Sequence, residues 1–194
     1  MKSFSLIVSF IFIAVLVSCK GTKKTTEFNN YTLEQLADID SKDVFDKTYK
    51  DIPHTHDVGL FDEGTTERAY TTLYPNSPKE ILLIWKTPKG EDLYQVVLSK
   101  KGTWHSKLGL SIGSSYDRLI ELNKKPIKIF GFGWDYSGAV DWNAGKLDGK
   151  NIHVFLKPAT DPDPKFYGDG IINPTAEELE ALQLTVGKII VQKE

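Results

Sequence analysis

Cysteine is nearly absent from this chain, and the single Cys19 rules out an internal disulfide and any Cys-based zinc site. Neither sign of charge dominates. There are 24 Lys and Arg against 26 Asp and Glu, a formal net charge of −2, so nothing marks a polyanion as partner and nucleic acid is excluded. No tract is of low complexity, and 15 Gly with 9 Pro in 194 residues exclude collagen-like and linker-dominated chains. No repeat of solenoid period is present. No long hydrophobic run follows Val17, so no transmembrane helix is expected in the mature chain. What is there, 40% hydrophobic and 26% charged residues, suits one ordinary globular domain.

The N-terminus has the grammar of an export signal. Lys2 supplies the positive start, Leu6 to Val17 an apolar core of about 12 residues, and Ser18 a small residue at its end. Leu16-Val17-Ser18-Cys19 resembles the lipobox of bacterial lipoproteins, in which the cysteine thiol takes a thioether-linked diacylglycerol and becomes the new N-terminus. Only a thiol has that chemistry, and Cys19 carries the only one. Residues 1–18 are therefore expected to be a lipoprotein signal peptide, and palmitate-type acyl chains on Cys19 the membrane anchor. Polar residues 19–30 read as a flexible tether, and 31–194 as a single domain. The expected location is the bacterial cell envelope, lipid-anchored at the outer membrane and facing the periplasm or the surface.

Patterning predicts an α+β fold on a mostly antiparallel sheet, with two tight hairpins and about three short helices. Thr32 and Gln35 form a capping-box pattern that opens a helix over about 32–40. Strands are expected from Thr65 to Leu73, Ile81 to Trp85, Leu93 to Leu98 and, with less apolar character, Trp104 to Leu110. Pro88-Lys89-Gly90 joins the middle two as a hairpin. Ser114 or Ser115 caps a helix with Tyr116, Leu119 and Ile120 on one face, ended by Asn123 and Pro126. Ile127 to Phe130 alternates as a strand, and Val140 to Trp142 with Ile152 to Leu156 predicts a second hairpin around Asp148-Gly149. A loop from Pro158 to Pro174, a helix capped by Thr175 and Glu178, and a strand from Gly187 to Lys193 complete the chain.

Four constellations invite chemistry. Gly109-Leu110-Ser111-Ile112-Gly113 has the G-x-S-x-G form of a nucleophile elbow, and Asp135 or Asp141 and then His153 follow in the order of a serine hydrolase. That elbow needs a parallel sheet, however, and hairpins flank it here. The favoured reading is a strand-to-helix turn with helix-capping serines. His54-Thr55-His56-Asp57 would place both imidazoles on one face of a strand, as a metal site can use, but exposed histidines in a loop are the expectation. Asp161, Asp163 and Asp169 gather carboxylates and glycines in one loop that lacks the EF-hand pattern, so ordinary turn chemistry is expected there over calcium. No cofactor motif is read.

The most distinctive stretch is Phe130-Gly131-Phe132-Gly133-Trp134-Asp135-Tyr136-Ser137-Gly138. Trp134 and Tyr136 with Asp135 between them form a candidate platform for a sugar ring, a peptide or an envelope protein. Alternatively the glycines kink a strand while Phe132 and Trp134 fill the core. The second reading is favoured by composition and predicts that Trp134→Ala destabilises the fold by several kcal/mol.

Gly-Phe-Gly-Trp-Asp-Tyr-x-Gly at 131–138 resembles the hallmark of an uncharacterised lipoprotein family of Bacteroidota. Residues 109–115 and Glu-Leu-Asn-x-Lys-Pro at 121–126 are similar to its lead-in, and Tyr167-Gly168-Asp169 with the strand from Val186 to Val191 fits its C-terminal pattern. Ile171-Ile172-Asn173 departs from the more polar run of that family. The resemblance spans residues 58–193. It implies localisation and domain extent, with no activity and no catalytic residue. The combined expectation is a lipid-anchored envelope protein acting as a non-enzymatic binding or envelope-maintenance module. A hydrolase using Ser111 and His153, and a metal binder at His54/His56 or Asp161/Asp163/Asp169, are the alternatives.

Overall fold

A computed structural model describes residues 31–193; the expected signal peptide and Cys19, with its tether, lie outside the described residues. Two short helices come first. Thr32 caps α1 (Leu33–Ala37): its hydroxyl accepts from the Gln35 N–H, and the Gln35 side chain accepts from the Thr32 N–H. The helix ends at Ala37, short of the expected 40, because Ser41 starts another, α2 (Lys42–Thr48), by accepting from the Val44 N–H. Leu33, Leu36 and Phe45 are the buried anchors of the pair.

Four strands then run as an antiparallel meander. They are β1 (His54–Phe61), β2 (Thr66–Leu73), β3 (Ile81–Trp85) and β4 (Leu93–Leu98). The β1–β2 hairpin turns through Asp62, Glu63 and Gly64, all at positive φ. The β3–β4 turn offers its Gly90 carbonyl to the Lys42 N–H at 2.9 Å, which docks the start of α2 on that hairpin. Histidines 54 and 56 thus sit on a strand and not in a loop, a correction to the expectation.

Trp104 to Leu110 forms no strand. Trp104 is buried with its indole N–H on the Lys79 carbonyl, and the buried Ser106 hydroxyl accepts from the Leu108 and Leu110 N–H groups, so this segment satisfies itself as a folded loop. Ser115 caps α3 (Tyr116–Asn123), which closes at Lys124 in the left-handed region. β5 (Lys128–Phe130), β6 (Val140–Asp141) and β8 (Ile171–Ile172) make a separate three-stranded sheet in the order β6-β5-β8. α4 (Ala176–Leu182) opens on the Thr175–Glu178 capping box.

The last strand decides the topology. β9 (Thr185–Gln192) inserts between β4 and β7 (Ile152–Lys157), antiparallel to both, giving a six-stranded sheet β1-β2-β3-β4-β9-β7. The α+β class with a mostly antiparallel sheet is what the chain adopts, with four α-helices among the described residues. The second hairpin is placed differently from the expectation. β6 and β7 flank Asp148-Gly149 but pair in different sheets, β6 with β5 and β7 with β9, leaving one isolated bridge from Ala139 to Phe155. The cause is at hand in Asn123. This wholly buried side chain donates to the Lys125 and Trp142 carbonyls and accepts from the Leu147 N–H, folding 142–147 back toward α3.

Candidate functional site

The glycine–aromatic stretch leaves β5 and turns at the far edge of the six-stranded sheet. Phe132 goes inward and is buried, whereas Trp134 is 64% exposed and Tyr136 59% exposed. The expectation that Trp134 fills the core is therefore overturned, and its backbone explains why. Gly133 at φ +87° reverses the chain, and the turn closes through Ser137 N–H to the Trp134 carbonyl (2.9 Å) and Gly133 N–H to the Ser137 hydroxyl (3.1 Å). Gly138, at φ +69°, then passes so close to β7 that a Cβ would lie 1.9 Å from the Leu156 carbonyl oxygen. Leu156 N–H donates to the Gly138 carbonyl at 2.7 Å, which fastens the turn to the main sheet.

The loop from Pro164 to Gly170 runs alongside. Phe132 N–H donates to the Phe166 carbonyl, Gly131 N–H to that of Gly170 and Gly168 N–H to that of Phe132. The Tyr167 ring lies directly on Gly133, where a Cβ would come within 2.6 Å of it. On the other side the Tyr136 ring packs on Phe130 at 5.7 Å between centroids, and Phe130 is paired across the sheet with Ile171. Trp134, Tyr136, Tyr167 and Ile171 account for four of the seven large apolar side chains that stand exposed among the described residues. Scattered exposed apolar residues mean little, but exposed rings gathered on one turn and on the loop hydrogen-bonded to it make a candidate interaction surface. Asp135 and Asp169, both exposed, edge it with carboxylates. Tyr167 and Ile171 were not chosen as site residues from the sequence, since only the pairing of two distant loops joins them to 134–136.

A second cluster occupies the opposite edge. Alternation along β1 puts His54 and His56 on one face, their ring centroids 4.8 Å apart. α2 lays Asp46 over them: Asp46 Oδ1 is 2.8 Å from His56 Nε2 and 3.9 Å from His54 Nε2, and Lys42 Nζ reaches Asp46 Oδ2 at 2.9 Å. Phe45 walls the cluster edge-on, 5.0 Å from one imidazole and 6.3 Å from the other. Behind it, His56 Nδ1 lies 2.8 Å from the hydroxyl of the wholly buried Thr71, which itself accepts the Trp85 indole N–H at 2.9 Å. Burial lowers the His56 pKa despite the carboxylate beside it, so the ring is neutral near pH 7. Burial alone would raise Asp46, but the hydrogen bonds from Lys42 and His56 outweigh it and hold the carboxyl below its usual range.

A neutral His56 has one consistent arrangement in the free molecule. A carboxylate only accepts, so Nε2 carries the proton and donates to Asp46, and Nδ1 accepts from the Thr71 hydroxyl. The order Thr–His–Asp has the outline of a nucleophilic triad, but the Thr71 oxygen is sealed from solvent and can reach no substrate. Asp46 and Thr71 went unrecognised in the sequence. Lys42 and Asp46 at helical i,i+4 spacing were the available signal.

The other candidates do not assemble. Ser111 lies in a turn between Gly109 and Gly113, both at positive φ, where its N–H donates to the Ser114 hydroxyl. His153 points outward from β7, and no hydrogen bond joins it to Ser111 among the described residues. Asp163 caps a single 3-10 turn by accepting from the Lys165 N–H, while Asp161 and Asp169 are exposed. The three carboxylates form no common ligand cluster among the described residues; that property belongs to Asp46, His54 and His56. A groove of about 670 Å³ opens away from both clusters, between α1 and the ends of β7 and β9. Its floor is Ala37, Leu147 and Ile152, and its rim sets Lys107, Lys146, Lys150 and Lys193 beside Glu34 and Asp38. Glu34 and Lys193 are already engaged, with the Lys107 N–H and with Asp40, so the groove is a seam between elements and offers less directed chemistry than either cluster.

No family model matches the chain, and no curated protein matches it. Among solved structures, the crystal structure of the uncharacterized protein yfeY from Escherichia coli is similar over 73% of this chain and 79% of that one, at 14% identity and a TM-score of 0.42. So distant a likeness carries no argument about function.

Proposed function

We propose that this chain is a lipid-anchored bacterial envelope protein whose domain binds, without catalysis, a glycan laid across Trp134, Tyr136 and Tyr167. The observation that carries the reading is the outward set of rings on a turn, braced by a backbone bond and the Ser137 hydroxyl, and on the loop bonded alongside it. A rigid aromatic surface loses little entropy on binding. The apolar C–H face of a sugar ring suits such a surface, and its hydroxyls find acceptors in Asp135 and Asp169. The rings lie outside the groove beside α1 and stand exposed, so the surface works as an open platform suited to a chain-like ligand.

The anchor follows from the lipobox-like Leu16 to Cys19, and more than one acyl chain gives lasting attachment where a single chain does not. No described helix is long and apolar enough to cross a membrane. Cys19→Ala should move the protein from the membrane fraction to the soluble one; retention in the membrane would overturn the anchor. For the platform, full-length protein in detergent is sedimented with purified cell-wall glycan. Co-sedimentation that Trp134→Ala and Tyr167→Ala abolish, at unchanged melting temperature, supports the reading. Absent or unaffected co-sedimentation, or competition by peptides but not by sugars, overturns it.

A further inference from the structure

His54 Nδ1 lies 2.6 Å from the Ile52 carbonyl oxygen. A carbonyl only accepts, so Nδ1 carries a hydrogen and Nε2 is the nitrogen left to ligate. His54 Nε2 stands 3.9 Å from Asp46 Oδ1. His56 Nε2 converges on the same oxygen at 2.8 Å. One ligand atom from each of the three residues lies within 4.8 Å of the others. A tetrahedral ion with bonds of about 2.0–2.1 Å sets its ligand atoms about 3.4 Å apart, a spacing these side chains bracket.

We propose that Asp46, His54 and His56 form a binding site for a divalent transition-metal ion, zinc by the N, N, O donor set, with a fourth position open to solvent. The outer groups suit the task. The Ile52 carbonyl orients His54, and Thr71, fixed by the Trp85 indole, orients His56. On binding, His56 Nε2 releases its proton and Nδ1 takes one up to donate to the Thr71 oxygen, which keeps the Trp85 indole N–H and rotates its own hydroxyl hydrogen away from the ring. Lys42 on Asp46 Oδ2 leaves Oδ1 as a single-oxygen ligand. Its positive charge opposes the cation, which gives the site an unusual sign: removing Lys42 tightens binding.

The test is zinc titration by calorimetry on the full-length chain carrying Cys19→Ser, so that no thiol competes, with cobalt absorption reporting geometry. One equivalent at micromolar or tighter affinity is expected, with a cobalt spectrum of four-coordinate intensity. His54→Gln and His56→Gln should each weaken binding more than about tenfold, Thr71→Val about tenfold, and Lys42→Gln should strengthen it, while His153→Gln leaves it unchanged. Should a variant fail to fold, nitrogen NMR of the Cys19→Ser chain decides alone: zinc must shift Nε2 of His54 and His56 and leave His105 and His153 in place. No binding at micromolar zinc, or shifts confined to His105 and His153, overturns the site.

Discussion

The two edges of the six-stranded sheet solve the same problem in opposite ways. An edge strand exposes unpaired backbone groups and needs managing. At the β7 edge the backbone itself is engaged: Phe155 bridges to Ala139, and Leu156 donates to Gly138. The Trp134 ring is free to face water because backbone bonds and the Ser137 hydroxyl, and not the indole, hold the turn. At the β1 edge the side chains do the holding, in a relay from Trp85 through Thr71, His56 and Asp46 to Lys42. The two lie five strand spacings apart, about 24 Å. Removing a side chain of the β1-edge relay should therefore break structure, whereas removing an exposed ring of the 134–136 turn, above the buried Phe132, should remove only a surface.

Two substitutions press on that contrast. The larger effect belongs to Phe132→Ala, which empties a buried position beneath the aromatic turn and should cost about 3–5 kcal/mol in urea denaturation. A cost under about 1 kcal/mol would mean that the platform's footing is independent of the core, and the comparison would fail. Next comes Thr71→Val at the β1 edge. It keeps the shape but leaves the buried Trp85 indole N–H without an acceptor and the His56 ring without its tie, at about 1–3 kcal/mol. An unchanged midpoint would show that the polar relay contributes nothing to holding α2 on the sheet.

How much of this was legible before the structure depended on burial. β3 is an apolar run, β4 and β9 carry buried aliphatic residues along their length, and α1 and α4 announce themselves by capping boxes. β1 has no buried residue, so no alternation toward a core betrays it, and α2 buries only Phe45. The histidine pair was visible through its spacing, but Asp46 joins it only because Phe45 docks an unrecognised helix over an unrecognised strand. At the other edge composition advertised aromatics without saying which way they face. The positive φ of Gly133 decides that, and glycine's freedom leaves the sign of φ open until Tyr167 and Ser137 pack around the turn.

The smallest expected effect sharpens the comparison most. Trp134→Ala removes one of the largest side chains in the protein, and a buried tryptophan would cost about 3–5 kcal/mol. With nearly two-thirds of its surface in water, and with the Ser137 N–H bonded to its carbonyl and not to its ring, the residue contributes little that alanine cannot. The midpoint should move by no more than about 0.5 kcal/mol, as for ordinary surface positions. Ligand affinity should fall in the same protein sample, because the surface is lost while its mounting survives. A shift of several kcal/mol would place the indole in packing that the exposed turn does not provide, and the β7 edge would then be held by side chains just as the β1 edge is.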